Sequence, residues 1–182
     1  MAQGRNSGRG SIVRTALWSL AALLLLAPVV AMRFTDEVNW TGSDFLFAGI
    51  VFGTVGLVAE LIVRRSGNLA YRAGAGFALA AAFVIVWANG AVGMIGDEGN
   101  GYNLWFYAAI LVALAGALVS RLRASGLALA SLAAGLVQAG VALGGASADP
   151  RGAAVSGGFA LLWLVSALLF RKAAAGEAPG RR

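Results

Sequence analysis

The chain has 182 residues, of which 59% are apolar and only 12% are charged, and its mean hydropathy is +0.80. Soluble domains carry about 25% charged residues, because a small fold has a large surface to cover. The composition therefore excludes a water-soluble globular fold, a disordered chain and a disulfide-rich scaffold. It predicts a protein whose main partner is the lipid bilayer.

The sequence contains no cysteine and no histidine. Thiolate nucleophiles, iron–sulfur clusters and the commonest metal ligands and general bases are therefore excluded. We expect no enzymatic activity, no catalytic residue, no metal site and no cofactor. The net charge of +6 comes from basic residues in short groups between apolar runs. Such groups are typical of membrane topology signals, so we expect no nucleic-acid partner.

Six apolar runs are long enough to cross the hydrocarbon core, which takes roughly 17–25 helical residues. They are continuously apolar rather than alternating, which favours helices over the strands of a barrel. The sequence thus predicts an all-α, polytopic transmembrane helix bundle with short connections. A basic segment (1–14) precedes the spans and a basic tail (171–182) follows them. The six predicted spans are 15–32, 45–63, 73–95, 104–120, 127–143 and 153–170.

The first span has an alternative interpretation. Residues 15–27 are followed by Pro28 and by small or β-branched residues up to Ala31, as in a signal peptide with its cleavage site. Cleavage would leave five spans and an external N-terminus. The later loops would keep their sides of the membrane.

The charges predict an orientation. Twelve of the 14 basic residues lie in the N-terminal segment, the second and fourth loops and the tail, whereas Arg33 and Arg151 lie on the other side. The positive-inside rule therefore places both termini in the cytoplasm, and we expect a bacterial inner (plasma) membrane. Aromatic residues at the outer ends of spans agree with this orientation.

Several stretches carry a resemblance to a family: WTGSDF at 40–45, EL at 60–61, GNLAYR at 67–72 and WANGAVGMIG at 87–96. Together they resemble a group of small, uncharacterised bacterial multi-pass membrane proteins, over roughly residues 32–145. The resemblance implies no activity, cofactor or site residue.

Three polar side chains lie inside predicted spans: Glu60, Asn89 and Gln138. Intramembrane ionisable groups are functional candidates, but Glu60 also suits a local helix pair with Arg64. An amide without a partner in hydrocarbon costs several kcal/mol, so we expect Asn89 and Gln138 to face the interior. Either they hold neighbouring helices together through hydrogen bonds, or they line a polar pocket near Trp87 that opens to the outside.

Acidic residues concentrate in the first and third loops and form a candidate outer cluster. Carboxylates suit a hard cation, but the spacing of a calcium loop is absent. We favour the alternative, in which these residues are negative charge solvated on the outer side. The residues are Asp36, Glu37, Asp44, Asp97 and Glu98.

Small residues recur at helix-packing spacing, at Gly49 and Gly53 and again at Gly140 and Gly144. Such pairs let helix backbones approach closely, either within the chain or toward a second copy or another membrane protein. The glycine-rich third span is expected at the centre of the bundle. The leading hypothesis is a small transporter-like or channel-like bundle or membrane subunit. The alternative is a structural or assembly partner of another membrane protein.

Overall fold

The computed structural model describes residues 4–177. Within that range the chain is helical and has no strand. Its elements are α1 (Gly4–Ala31), α2 (Gly42–Arg65), α3 (Leu69–Ala91), a 3-10 helix (Gly101–Phe106), α4 (Tyr107–Val119), α5 (Ala124–Gly145), α6 (Pro150–Gly158) and α7 (Ala160–Glu177).

Five described segments are long and apolar enough to cross a membrane, which makes them compatible with an integral membrane protein. They are Gly42–Arg65, Leu69–Ala91, Gly101–Val119, Ala124–Gly145 and Pro150–Gly176. The predicted first span falls on α1, whose described apolar part is the shorter Ala21–Ala31. The count of six spans is therefore not confirmed. Residues 1–3 and 178–182 of the predicted basic ends lie outside the described residues.

The chain divides into two compact units, residues 1–61 and 62–182. In the first unit α1 meets α2 at Trp18, since a Cβ atom added at Gly56 would lie 2.9 Å from the Trp18 ring. The start of α2 is fixed by Asp44, whose carboxylate accepts hydrogen bonds from the Thr41 backbone N–H and hydroxyl, both at 2.7 Å. This is the side-chain capping expected at a helix N-terminus.

In the second unit the helices begin at residues that suit their caps. The Asn68 side chain accepts hydrogen bonds from the backbone N–H groups of Ala70 and Tyr71 at the start of α3. Asp149 caps α6 in the same way, and Pro150 occupies the first turn, where the missing N–H costs nothing. These side chains satisfy donors that a helix leaves unpaired at its N-terminus.

The central helix of residues 62–177 is α5, which packs against α4, α6 and α7, while α3 packs against α7. Within residues 62–177 the third span, expected at the centre from its glycines, is not the central helix: 44% of the apolar stretch of α5 is buried, against 28% for α3. The reason is the distribution of small residues. Those of α5 occur on several sides of the helix, whereas Gly76 and Gly90 of α3 are exposed.

Close approach at small residues holds this unit together. A Cβ atom at Gly116 of α4 would overlap Ala130 of α5, and one at Gly135 of α5 would lie 3.1 Å from Trp163 Cβ of α7. Van der Waals packing of this kind is the main source of helix association in lipid, where hydrophobic exclusion does not operate.

The last predicted span, 153–170, is two helices rather than one. The first, α6, begins three residues earlier than predicted, and the helix is interrupted at Phe159, directly after Ser156, Gly157 and Gly158. Runs of Gly and Ser are a common cause of helix kinks. The interruption lies close to the buried polar residues of this unit.

Candidate functional site

Gln138 is the most completely enclosed of the predicted polar residues, with 0% of its surface exposed. Its Nε2 donates a hydrogen bond to the Ser156 carbonyl at 3.0 Å, and its Oε1 accepts one from Trp163 Nε1 at 2.7 Å. The amide thus joins α5 to both α6 and α7. The sequence correctly placed this side chain in the interior with partners.

The hydrogen-bonded path continues from Ser156 to the loop after α3. Ser156 Oγ donates to the Met94 carbonyl at 2.9 Å, and Asn103 Oδ1 accepts from the backbone N–H groups of Met94 and Ile95 at 3.2 and 2.7 Å. Asn103 Nδ2 in turn donates to the Asp97 carbonyl. One buried amide therefore satisfies three backbone groups of this loop.

A second polar contact crosses the unit nearer the other ends of the helices. Ser166 Oγ donates to the Gly74 carbonyl at 2.8 Å, and the hydroxyls of Ser131 and Ser166 are 3.0 Å apart. Both serines are almost fully buried. Helices α3, α5 and α7 are thus linked through two hydroxyl groups.

Asn89 is buried, with 8% of its surface exposed, but it is paired at one end only. Its Nδ2 donates to the Ile85 carbonyl of its own helix at 2.9 Å, while Oδ1 has no hydrogen-bond partner among the described residues. The predicted interior position is found, and the predicted partner from a neighbouring helix is not. This oxygen is an uncompensated acceptor in an apolar setting.

Glu60 is half-buried on α2, in the unit formed by residues 1–61, and is not without a partner. Asn89 and Gln138 belong to the other unit. Whether Glu60 is a functional charge or a local pair with Arg64 stays a prediction.

The acidic residues of the candidate outer cluster are all exposed in the described structure. Asp44 caps α2, and Asp97 Oδ1 accepts a hydrogen bond from the backbone N–H of Gly99. Within residues 4–177 no three acidic side chains come close enough to hold a metal ion. The structure therefore gives the cation hypothesis no support.

Asp149 has a larger structural role than the sequence indicated. Its carboxylate accepts hydrogen bonds from the backbone N–H groups of Gly152 at 2.9 Å and Gly96 at 3.0 Å. These bonds favour the ionised form, the one from Gly152 most strongly, and they lower the pKa of Asp149 below its ordinary value. Asp149 thereby fastens the loop after α3 to the start of α6.

At the opposite end of this unit, basic and aromatic residues hold the turn between α4 and α5. Arg121 and Leu122 adopt positive φ angles of 52° and 62°. The Tyr71 hydroxyl donates to the Leu122 carbonyl at 3.0 Å, and Arg65 Nη2 donates to the Arg121 carbonyl at 3.4 Å. Arg72 donates to the Val63 and Ser66 carbonyls near the end of α2. Much of the basic charge here thus also binds backbone.

Two grooves lie on the helices of residues 62–177. The larger, about 760 Å³, runs between α5 and α7, and the smaller, about 360 Å³, is formed by α3 and Leu162 of α7. Both are lined mainly by Ala, Leu, Gly and Phe, and neither includes Asn89 or Gln138. The predicted polar residues therefore do not line these openings.

Sequence reasoning missed most partners in the polar network. The pairing of these side chains depends on which helices are neighbours, and they are Asn103, Ser131, Ser156, Trp163 and Ser166. Only Asp149 had a local signal, since Asp directly before Pro is typical of a helix N-terminus.

No family model, no curated protein and no solved structure matches the chain. The resemblance to the bacterial multi-pass proteins stays a prediction.

Proposed function

We propose that the chain is a non-catalytic scaffold of a bacterial inner membrane, which assembles through small-residue helix faces with another membrane protein or a second copy of itself. The observation that carries the proposal is the pairing of Gln138. Its two polar atoms are bound by Ser156 and Trp163, and none of its surface is exposed. A solute-binding amide needs a free hydrogen-bonding group that faces a cavity.

The rest of the buried polar network supports the same function. The side chains of Asn103, Ser156 and Ser166 bind backbone carbonyls or N–H groups of other segments. Polar groups used in this way join elements and stabilise one arrangement. They favour a fixed block of helices over a carrier that must rearrange to expose its site.

The proposed docking face is on α2, where Gly49 and Gly53 are one helical turn apart. A Cβ atom added at either position would meet nothing within 4 Å. The same is true of Gly140, whereas a Cβ atom at Gly144 would touch the Tyr102 hydroxyl. Gly144 is therefore used in packing within its own unit, and we propose that the other three contact a further helix.

We also propose that both termini are cytoplasmic. Within the described part of the second unit, one end carries the basic residues of α2, of the turn between α4 and α5 and of α7. The opposite end carries Asp97, Glu98 and Asp149. This asymmetry follows the positive-inside rule.

A transporter-like or channel-like role is the second candidate, and Asn89 is the observation that favours it. A buried acceptor without a hydrogen-bond partner is costly, and a bound solute or ion would provide one. This role is second because both grooves have a mainly apolar lining that does not include Asn89.

The test is the composition of the complex extracted directly into polymer nanodiscs and weighed by native mass spectrometry. The wild-type chain should carry one further helical protein or a second copy in fixed ratio. Gly53→Leu should release it, because a leucine side chain prevents close backbone approach. Thr54→Leu is the matched control, since Thr54 is exposed at nearly the same depth on a neighbouring face.

A wild-type chain that is always extracted alone would contradict the scaffold proposal. Equal release by both leucine variants would contradict the docking face. Solute or ion flux in liposomes that is lost in Asn89→Leu would establish the second candidate instead.

A further inference from the structure

The groove between α5 and α7 has an apolar length and a cationic end. Its walls are formed by Leu129 and Leu132 of α5 and by Leu164 and Leu168 of α7, with alanines at its base. Ser125 and Arg171 line it near the start of α5 and the end of α7. A volume of about 760 Å³ lies within the range of sites that hold small molecules.

The charge at the cationic end is unbalanced. Arg171 is exposed and has no hydrogen bond or ion pair with any described residue. Arg121, Arg123 and Lys172 are exposed at the same end, as the contact of Tyr71 with Phe170 and its bond to Leu122 indicate. Across residues 121–148 and 160–182 the only acid in the sequence is Glu177. This end therefore attracts an anion.

We propose that the groove binds an anionic phospholipid of the surrounding bilayer, with an acyl chain along the leucines and the phosphate at Arg171 and Ser125 Oγ. An amphiphile fits both parts of the groove, whereas a water-soluble anion leaves the apolar part empty. Arginine near the end of a membrane helix reaches the headgroup level with its charge while its stem stays in the apolar layer. Basic pockets between helices are suited to anionic headgroups for the same reason.

The proposal is independent of the scaffold function, and it is tested with the purified full chain in detergent. Native mass spectrometry measures the retention of phosphatidylglycerol, phosphatidylcholine or glycerol 3-phosphate. The wild-type chain should prefer phosphatidylglycerol to phosphatidylcholine by about fivefold, which is the contribution of one arginine near a membrane surface. Glycerol 3-phosphate, which lacks acyl chains, should not be retained.

Arg171→Gln and Lys172→Gln form a matched pair, because they remove the same charge at the same depth from adjacent faces of α7. Both residues are exposed, so both variants should keep the wild-type circular dichroism spectrum. Arg171→Gln should abolish the preference for phosphatidylglycerol, and Lys172→Gln should retain it. Equal loss in both variants, no preference in the wild type, or a groove occupied by a second copy of the chain would overturn the proposal.

Discussion

Gln138 lies where an amide without partners is expensive, and its surroundings provide both a donor and an acceptor. An unpaired polar group in hydrocarbon costs several kcal/mol. A hydrogen bond between membrane helices contributes only about 0.6 kcal/mol on average. The pairing with Trp163 and Ser156 is therefore important mainly because its loss would leave a buried amide without a hydrogen-bond partner.

Replacing Trp163 by Phe should destabilise the protein by about 1–3 kcal/mol, because Gln138 Oε1 loses its donor and the smaller ring leaves a cavity at a buried position. Trp105→Phe is the control, since Trp105 is 65% exposed and a surface change costs about 0.5 kcal/mol or less. Reversible unfolding in mixed micelles measures both free energies. Similar losses for the two variants would show that the indole hydrogen bond contributes little.

The interior position of Asn89 and Gln138 follows from the cost of an exposed amide in lipid, and the sequence predicted it. Their partners could not be predicted, because the sequence does not state which helices are neighbours. The Gln138 amide pairs with residues 18 and 25 positions away in the chain. Whether Asn89 Oδ1 has a hydrogen-bond partner likewise depends on which groups surround the end of α3.

At the scale of elements, the loop between α3 and α4 is held by several side-chain hydrogen bonds. Just after the end of α3, Gly93 adopts a φ of +78°, which favours glycine. The Gly93 backbone N–H donates a hydrogen bond to the Ala88 carbonyl. Asn100 Nδ2 donates to the Ile95 carbonyl, and Asn103 accepts from Met94 and Ile95. The conformation at Gly93 therefore sets the path of a loop held by two amides.

Gly93→Ala should destabilise the protein by at least about 1 kcal/mol, since a side chain is disfavoured at positive φ. In addition, its Cβ atom would overlap the Asp97 carbonyl. Gly101→Ala, in the neighbouring 3-10 helix, is the control, because a Cβ atom there meets nothing within 4 Å. Thermal unfolding in micelles compares the two. Equal stability of the variants would show that the loop adapts without cost.

The apolar runs of the sequence predicted the helical elements well but not their ends or interruptions. The second to fifth predicted spans fall on α2 to α5, because continuous apolar runs in lipid have to satisfy their own backbone. The 3-10 helix at Gly101–Phe106 begins at an Asn100 cap, and the interruption at Phe159 follows a run of Ser and Gly, but both segments are also held by non-local hydrogen bonds of Asn103 and Ser156. Those bonds have no local signature.

At the scale of the whole molecule, the two ends of the second unit differ in charge. The basic end is a single surface, because Arg65 and Tyr71 donate hydrogen bonds to the turn between α4 and α5. Tyr71 also packs edge-on against Phe170 of α7, with ring centroids 5.3 Å apart. At the acidic end, the hydrogen bonds that Asp149 accepts from Gly96 and Gly152 hold the loop after α3 to the start of α6. The sequence predicted this separation from loop charges alone, since charge and loop order need no knowledge of packing.

The charge separation predicts the outcome of reporter fusions at two exposed positions. Fluorescent protein fused after Arg123 should be active, and alkaline phosphatase at the same place inactive, because this end should face the cytoplasm. After Glu98 the two reporters should show the reverse pattern. The two reporters at each site control for expression, since each is active on only one side.

Because the chain has no cysteine, full-length Glu98→Cys and Leu122→Cys variants extend the test to the intact protein. An impermeant maleimide should label Glu98→Cys in whole cells, and Leu122→Cys only after the membrane is opened. Labelling of Leu122→Cys in whole cells would reverse the orientation, and equal labelling of both variants would contradict a fixed one.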